Sequence, residues 1–300
     1  MDWISGGNRH GLDGSVVEPP VRYGYRFDSA VMSRDGRYAV IYERLGTKGL
    51  VVKEGMVERE INRSCYHADA YEYPVALVTL PSGRTLLAHC PDEYCRLELE
   101  DVETGERLTR RKSESPDIFH SRLQFSRDGR YLLSAGWLWH PVDVAYVFDV
   151  ARALEHPESL DQPQGLAPGD SFVEVQSAAF GEKDTLVARF WGLEGSETEE
   201  EGGLGVYSLT ERRFLSVVQP GCPMGTMMVM DGYVVGFYEH PRLIELATGR
   251  VVEQWPELST GKQASSIIRH LPRLPPFALD PARCRFAVGT EKGIEVVSFR

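Results

Sequence analysis

The sequence contains no long apolar run and no targeting signal. None of its apolar stretches approaches the roughly 18 residues that a membrane-spanning helix needs. The first residues, MDWISGGNRHGLDG, lack a basic region followed by an apolar one. From these two absences we expect a cytoplasmic protein that does not enter a membrane.

Positive charge is also scarce. The chain has 33 Lys and Arg residues against 44 Asp and Glu residues, which gives a formal net charge of -11 at pH 7. Nucleic acids and anionic membrane surfaces would repel such a protein. The charge balance predicts that neither is a ligand, and it favours a basic protein as the partner.

Cysteine is sparse and follows no disulfide or metal-binding spacing. The five cysteines are Cys65, Cys90, Cys95, Cys222 and Cys284. An odd number without a Cys-x-x-Cys pair favours reduced thiols. His67 and His89 lie near the first three in the sequence, and zinc prefers thiolates and imidazoles as ligands. Because a structural zinc site normally contains a closely spaced cysteine pair, we predict no metal here and a buried thiol at Cys90.

Motifs of the common enzyme and nucleotide-binding families are missing. The chain has no His-Glu-x-x-His, no acidic calcium loop, no Gly-x-Ser-x-Gly and no Gly-x-x-x-x-Gly-Lys-Ser/Thr. Residues 259–262, Ser-Thr-Gly-Lys, resemble the end of a phosphate-binding loop, but Gln263 follows the lysine and Pro256 occupies the upstream glycine position. We therefore predict no cofactor and no catalytic site.

The feature that the sequence does contain is a recurring short apolar run. Successive runs begin 47, 46, 54, 48 and 53 residues apart, at 38–41, 85–88, 131–134, 185–188, 233–236 and 286–289. Such short, almost continuously apolar runs are typical of strands that are covered on both faces.

Two kinds of turn repeat with the same period. The hexapeptide SRDGRY occurs at 33–38 and again at 126–131, 93 residues later. The segment DVETG at 101–105 is matched by ELATG at 245–249, 144 residues later. The glycines of these turns supply the positive φ that tight turns between strands require. Two landmarks with one spacing predict repeated antiparallel units.

The stretch 121–154 carries the clearest family resemblance. It holds three apolar segments joined by tight turns, and its phrase FSRDGRYLLSAG resembles the second-strand signature of the WD-repeat β-propellers. Phe148 and Asp149 occupy the place of that family's Trp-Asp pair. The resemblance implies an all-β protein, a β-propeller, and the six recurring apolar runs predict six blades. Seven blades are the alternative, if 256–275 forms a degenerate one.

We expect residues 1–300 to form one propeller domain, with 1–27 as an N-terminal segment and 28–300 as the blades. After the sixth second strand only 294–299 could form another strand, so the last blade is short of its outer strand. The β-like segment Val21–Phe27 is available to fill that place. We predict that it closes the ring.

In such a propeller, the loops between second and third strands and the connections between blades share one face. Their aromatic and polar residues form the predicted partner-binding set: Tyr66, His67, Tyr94, Trp139, His140, Trp191, Tyr238, Glu239 and His240. Exposed aromatic side chains beside polar ones are typical of protein-binding hot spots. The alternative is structural, because His-Pro recurs at 140–141 and 240–241, where proline would end a strand and histidine would cap it.

An acidic loop completes the predicted surface. Five glutamates lie between 194 and 201, and we assign four of them to partner binding: Glu197, Glu199, Glu200 and Glu201. Like charges repel, so a solvated, mobile loop is the alternative interpretation. A functional loop would steer a cationic partner by long-range attraction that salt screens.

We predict a non-catalytic function from these features. The protein is expected to be a monomer whose acidic, aromatic loop face binds a basic partner protein, as an inhibitor or as an immunity protein that blocks a toxin. The resemblance also implies an alternative, because similar propellers include lactonases, glycosidases and lyases with a site in the central channel. Such a site needs carboxylates or histidines, and the predicted inner strands offer almost none. A small ligand in the channel is a third alternative.

Overall fold

The structure is a computed structural model that describes residues 8–18, 27–139, 142–166, 174–191 and 202–299. Within these ranges, antiparallel sheets follow one another along the chain and are arranged as the six blades of a β-propeller. The predicted all-β fold and its six blades are confirmed. A pair of short strands, β1 (Arg9–His10) and β2 (Val16–Val17), forms a small separate sheet before the first blade.

Consecutive strands pair within each blade. Blade 1 contains β3 (Ser29–Met32), β4 (Tyr38–Tyr42), β5 (Lys48–Lys53) and β6 (Met56–Asn62); blade 2 contains β7 (Val75–Thr79), β8 (Thr85–His89) and β9 (Glu98–Asp101); blade 3 contains β10 (Gln124–Phe125), β11 (Tyr131–Leu138), β12 (Val142–Asp149) and β13 (Gln164–Gly165). Blade 4 contains β14 (Glu174–Phe180), β15 (Thr185–Trp191), β16 (Gly203–Ser208) and β17 (Arg213–Val218); blade 5 contains β18 (Met227–Met230), β19 (Tyr233–Gly236), β20 (Arg242–Glu245) and β21 (Val251–Gln254); blade 6 contains β22 (Phe277–Asp280), β23 (Arg285–Thr290) and β24 (Gly293–Ser298).

Helix is a minor part of the described chain. One α-helix, α1 (Val150–Glu155), leads into a 3-10 helix at Pro157–Asp161, and a second 3-10 helix lies at Pro281–Arg283. The Asp149 carboxylate caps α1 by accepting from the Arg152 amide at 2.9 Å. The described residues include no helix with the length and apolarity that a bilayer crossing requires.

All six second strands predicted from the sequence are present, as β4, β8, β11, β15, β19 and β23. In β8, β11, β15 and β19, successive side chains point to opposite faces and pack against the two neighbouring blades. In β8, Leu86 packs with Leu132 of blade 3, whereas Leu87 packs with Val40 of blade 1. These four side chains are each 0% exposed. Burial on both faces explains why the strands are continuously apolar.

The repeated hexapeptide SRDGRY forms the same hairpin turn in blades 1 and 3. In blade 3, the Ser126 hydroxyl donates to Asp128 at 2.7 Å and accepts from the Tyr131 amide at 2.9 Å. The equivalent bonds of Ser33 in blade 1 are 2.6 and 3.0 Å long. Gly129 has a φ of +75°, a conformation that a residue with a Cβ atom rarely adopts. Identical sequence therefore gives identical local geometry two blades apart.

Blade 6 has three strands within the described residues, as the sequence predicts. Its third strand, β24, is exposed at all but one position, whereas the third strand of blade 4, β16, is almost wholly buried. Residues 21–26, which we predicted to close the ring, lie outside the described residues. Phe27, at the end of that segment, is buried and packs against Ala39 and Ile41 of blade 1.

Residues 256–275 do not form a seventh blade, so that alternative is wrong. Their strand-like pairs are isolated bridges, Gly261 with Glu239 and Ile267 with Tyr71. We call residues 259–271 the crossing segment, because it runs from blade 5 to the connection between blades 1 and 2. Blades 6 and 1 lie between these places in the ring, so the segment bridges parts of the loop face that are not neighbours.

Candidate binding surface on the loop face

The loop face is the end of the ring where second strands lead into third strands and where each blade connects to the next. Because strands alternate in direction within a blade, both kinds of loop emerge at the same end. Eight predicted partner-binding residues are described there: Tyr66, His67, Tyr94, Trp139, Trp191, Tyr238, Glu239 and His240. The other five lie outside the described residues: His140, Glu197, Glu199, Glu200 and Glu201.

Four of the predicted residues meet in one group of rings. With two further rings they form the aromatic surface cluster, which consists of Tyr66, His67, Tyr94, Phe119, Trp137 and Trp139. Phe119 stacks on Trp137 with centroids 3.9 Å apart, and Tyr94 stacks on Phe119 at 4.3 Å. Phe119 and Trp137 are 0% and 5% exposed, whereas Tyr66 and Trp139 are 44% and 38% exposed. The cluster thus extends from the core and presents two rings to solvent.

Strand β11 and its continuation supply the two tryptophans. Side chains alternate along a strand, so Trp137 and Trp139 project to the same side. Phe119 pairs with Trp137 through backbone N–H to O distances of 2.9 and 3.2 Å. Gly136 permits this pairing, because a Cβ atom there would lie 2.0 Å from the Phe119 carbonyl oxygen.

Our sequence analysis missed Phe119 and Trp137. Trp137 had a signal that could have identified it, since it lies two positions before Trp139 in an alternating strand. Phe119 precedes the inner strand β10 and forms its bridge outside any regular strand. Only the packing of the connection between blades 2 and 3 places its ring between Tyr94 and Trp137.

A buried arginine holds the loop that carries Tyr66 and His67. The Arg63 guanidinium donates to the carbonyl oxygens of Ala68 at 2.7 Å and of Tyr71 at 3.1 Å. It also lies 4.6 Å from the centre of the Tyr71 ring. Arg63 is 5% exposed, so these carbonyl oxygens have little access to water as a substitute donor.

We expect Arg63→Lys to lower the free energy of unfolding by about 2 kcal/mol. Lysine keeps the charge but cannot donate to several carbonyl oxygens from one rigid plane. The matched control is Arg37→Lys, because the Arg37 side chain is 52% exposed and should lose little. Urea unfolding of both variants makes the comparison. Equal losses in the two would contradict the role assigned to Arg63.

Buried charges lie beneath the crossing segment. The Gln263 amide donates to the Glu72 carboxylate at 2.9 Å and so fastens the segment to the connection between blades 1 and 2. Asp143 and Arg122 lie near one another in the same region. Burial raises the pKa of Asp143 to about 6, although the charge of Arg122 opposes this shift. These groups are covered and are not part of the exposed surface.

The remaining predicted residues lie elsewhere on the loop face. Glu239 forms an ion pair with Lys262 of the crossing segment at 3.2 Å. The Arg189 guanidinium lies 5.0 Å from the centre of the Trp191 ring. No ring contact among the described residues joins Trp191 or Tyr238 to the aromatic surface cluster. The predicted set is therefore several separate groups.

All five cysteines are free thiols, and Cys90 is buried as the sequence predicts. Burial raises the pKa of its thiol, which makes it a poor nucleophile. In the part of the chain that the structure describes, no three His, Cys, Asp or Glu side chains are grouped so that they could hold a metal ion.

Comparison with known proteins yields a fold and no family. No family model matches the sequence, and no curated protein matches it. Among solved structures, a chain of Kuenenia stuttgartiensis hydrazine synthase is similar, with a TM-score of 0.52 and 15% sequence identity, over 87% of this chain and 72% of that one. Identity this low indicates a shared fold alone. Together with the six antiparallel sheets, the similarity identifies the chain as a six-bladed β-propeller.

Proposed function

We propose that this protein is a non-catalytic binding module whose loop face holds another protein. The aromatic surface cluster is the observation that carries this proposal. Tyr66 and Trp139 are 44% and 38% exposed, although large aromatic rings gain free energy from burial. Rings that are supported by a packed core and exposed beside polar groups are the usual anchors of protein interfaces.

A basic partner fits the charge of the chain, which is -11 at pH 7. The acidic stretch 194–201 lies in the sequence between β15 and β16, whose paired ends at Phe190 and Gly203 are at the loop face. Attraction between unlike charges would speed the encounter with a cationic protein. An inhibitor, such as an immunity protein that covers the active site of a toxin, is the role within this class that we propose.

Two features favour binding over catalysis in the channel, which is the competing function. The crossing segment covers part of the loop face and is fastened at both ends, by Thr260 to Phe237 and by Ile268 to Ala70. Of the six inner strands, β3, β7, β10 and β18 contain no carboxylate, β14 and β22 contain one each at a strand end, Glu174 and Asp280, and none contains a histidine. We also propose that the blades are WD-repeat-like, because the SRDGRY hairpin recurs with the same bonds in blades 1 and 3.

The proposal is tested by capturing the partner from native lysate and measuring its affinity for variants that lack an exposed aromatic side chain. Tyr66→Ala and Trp139→Ala are each expected to weaken binding about 30-fold, as loss of an interface hot spot does. Leu215→Ala is the matched control, because Leu215 is equally exposed, at 44%, but lies on the outer strand β17. A partner whose affinity is unchanged by both ring variants would contradict the proposal.

The electrostatic part makes a separate prediction. Replacing Glu197, Glu199, Glu200 and Glu201 by glutamine should slow association about tenfold at low salt, with little effect on dissociation. Raising the ionic strength should slow the unmodified protein and reduce this difference, because salt screens long-range attraction. Stopped-flow measurements at several salt concentrations give both results. If neither the substitution nor the salt concentration changes the association rate, steering by this loop is excluded.

A further inference from the structure

We infer that the aromatic surface cluster receives an arginine side chain of the partner, an inference that rests on the proposed function. The exposed rings of Tyr66 and Trp139 have centroids 6.1 Å apart and an interplanar angle of 70°. His67 lies 4.6 and 5.2 Å from these two rings and is nearly perpendicular to both, so the three rings bound a corner in which a flat group can lie on one ring face and touch the edge of another. A guanidinium is flat and cationic, and aromatic faces attract it.

A carboxylate lies at the edge of the aromatic surface cluster, beside Tyr94. Asp117 accepts a hydrogen bond from the Tyr94 hydroxyl at 2.6 Å, and the Tyr94 ring lies 5.0 Å from the Tyr66 ring. Asp117 is exposed and makes no ion pair within the part of the chain that the structure describes. Its carboxylate has further acceptor positions after the bond from Tyr94. A cation that lies against the rings could therefore also donate to Asp117.

The neighbouring carboxylate of Asp69 differs from that of Asp117 in having a cationic partner, because Arg269 neutralises it. The Asp69 to Arg269 distance is 3.1 Å. Asp117 therefore offers a charge beside Tyr94 that no cation among the described residues neutralises, and the bond from the Tyr94 hydroxyl fixes its carboxylate in place. An apolar side chain in the corner would displace water from Asp117 without replacing its hydrogen bonds, which is unfavourable.

Arginine fits this combination better than lysine does. Its planar fork can stack on a ring and donate to a carboxylate from its edge at the same time. The lysine ammonium is a strongly hydrated point charge that cannot stack. The rings are already ordered, because Phe119 packs against Tyr66, Tyr94 and Trp139 within 6.0, 4.3 and 5.2 Å. Little side-chain freedom is lost when a ligand binds to them.

The inference is tested with small ligands on the intact protein. N-acetyl-arginine amide, N-acetyl-lysine amide and N-acetyl-citrulline amide are titrated while the indole N–H signal of Trp139 is followed by NMR and assigned with Trp139→Phe. Citrulline has the shape of arginine without its charge. We expect saturable binding of the arginine amide at millimolar concentration, weaker binding of the lysine amide and none of the citrulline amide.

Two carboxylate variants make the test specific. Asp117→Asn should weaken binding of the arginine amide about tenfold, whereas the control Asp69→Asn should leave it within twofold. Equal shifts from arginine and citrulline amides, no saturable shift with the arginine amide, or no effect of Asp117→Asn would overturn the inference.

The same variants separate this inference from the proposed function. If a captured partner requires Tyr66 and Trp139 but binds the Asp117→Asn variant normally and is not displaced by the arginine amide, the arginine inference fails and the proposed function stands. If the partner also binds the Tyr66→Ala and Trp139→Ala variants normally, both the arginine inference and the proposed function fail.

Discussion

Gly136→Ala is expected to destabilise the protein by at least about 3 kcal/mol, the upper end of what overpacking usually costs. The added Cβ atom would lie 2.0 Å from the Phe119 carbonyl oxygen and 3.0 Å from its carbon. Neither backbone segment can yield easily, because the Phe119 and Trp137 backbones are paired and the Ala135 amide donates to the Ser121 carbonyl oxygen at 3.0 Å. The connection that carries Phe119 would have to leave β11.

Because Phe119 supports the aromatic surface cluster, the same change should loosen the exposed rings. Gly165→Ala is the matched control in the same blade, since a Cβ atom there would meet Tyr146 at an ordinary 3.7 Å. Urea unfolding measures stability, and near-ultraviolet circular dichroism reports the packing of the tryptophans. A Gly136→Ala variant as stable as Gly165→Ala, with an unchanged aromatic spectrum, would contradict the close pairing of Phe119 with β11.

Two buried groups should give the stability opposite dependences on pH. Burial raises the pKa of Asp143 from 3.8 to about 6, so the folded state binds this proton more tightly and stability from this group falls as pH rises from 4 to 6. Burial lowers the pKa of His120 from 6.5 to about 4, so the unfolded state binds this proton more tightly and stability from this group rises with pH between 4 and 6.5. Each effect amounts to roughly 2 to 3 kcal/mol.

The two effects nearly cancel in the unmodified protein, and single variants should reveal each one. Asp143→Asn should be more stable than the unmodified protein at pH 7 by roughly 2 to 3 kcal/mol, and the gain should vanish near pH 4. The difference in unfolding free energy between His120→Asn and the unmodified protein should shift in favour of the variant by a similar amount between pH 7 and pH 4. Differences between variants cancel the contribution of the other carboxylates.

Guanidinium unfolding at pH 4, 5, 6 and 7 makes this measurement. Loss of the hydrogen bond between His120 and Ser134, which is 3.0 Å long, should lower the stability of His120→Asn equally at every pH. The sign of the pH dependence is therefore the diagnostic result. Parallel curves for the two variants and the unmodified protein would show that neither group is buried in the way described.

The second strands were predictable from the sequence because they carry a physical signature of their own. Leu86 and Leu87 contact different blades, so both positions must be apolar, and a run of such positions stands out from an alternating strand. The SRDGRY turns were predictable because their Ser, Asp and Gly residues determine the geometry locally.

Helix α1 was not predicted, because it follows β12 directly and the apolar Val150 extends the strand pattern into the helix. Features that depend on contacts distant in sequence were also not predictable. The crossing segment takes its course from residues such as Glu72, which is 191 positions before its partner Gln263. The candidate site was predictable in part, since Tyr66, His67, Tyr94 and Trp139 share loops of one face, but nothing in the sequence places Phe119 beneath them.

Hydrogen exchange of the protein with and without its captured partner tests the central claim most directly. We expect the partner to slow exchange in loops 64–70 and 92–96, which carry Tyr66, His67 and Tyr94, while the outer strands β6 and β21 exchange at unchanged rates. Protection confined to those outer strands, with the loops unaffected, would contradict the claim that this propeller binds through the aromatic surface cluster of its loop face.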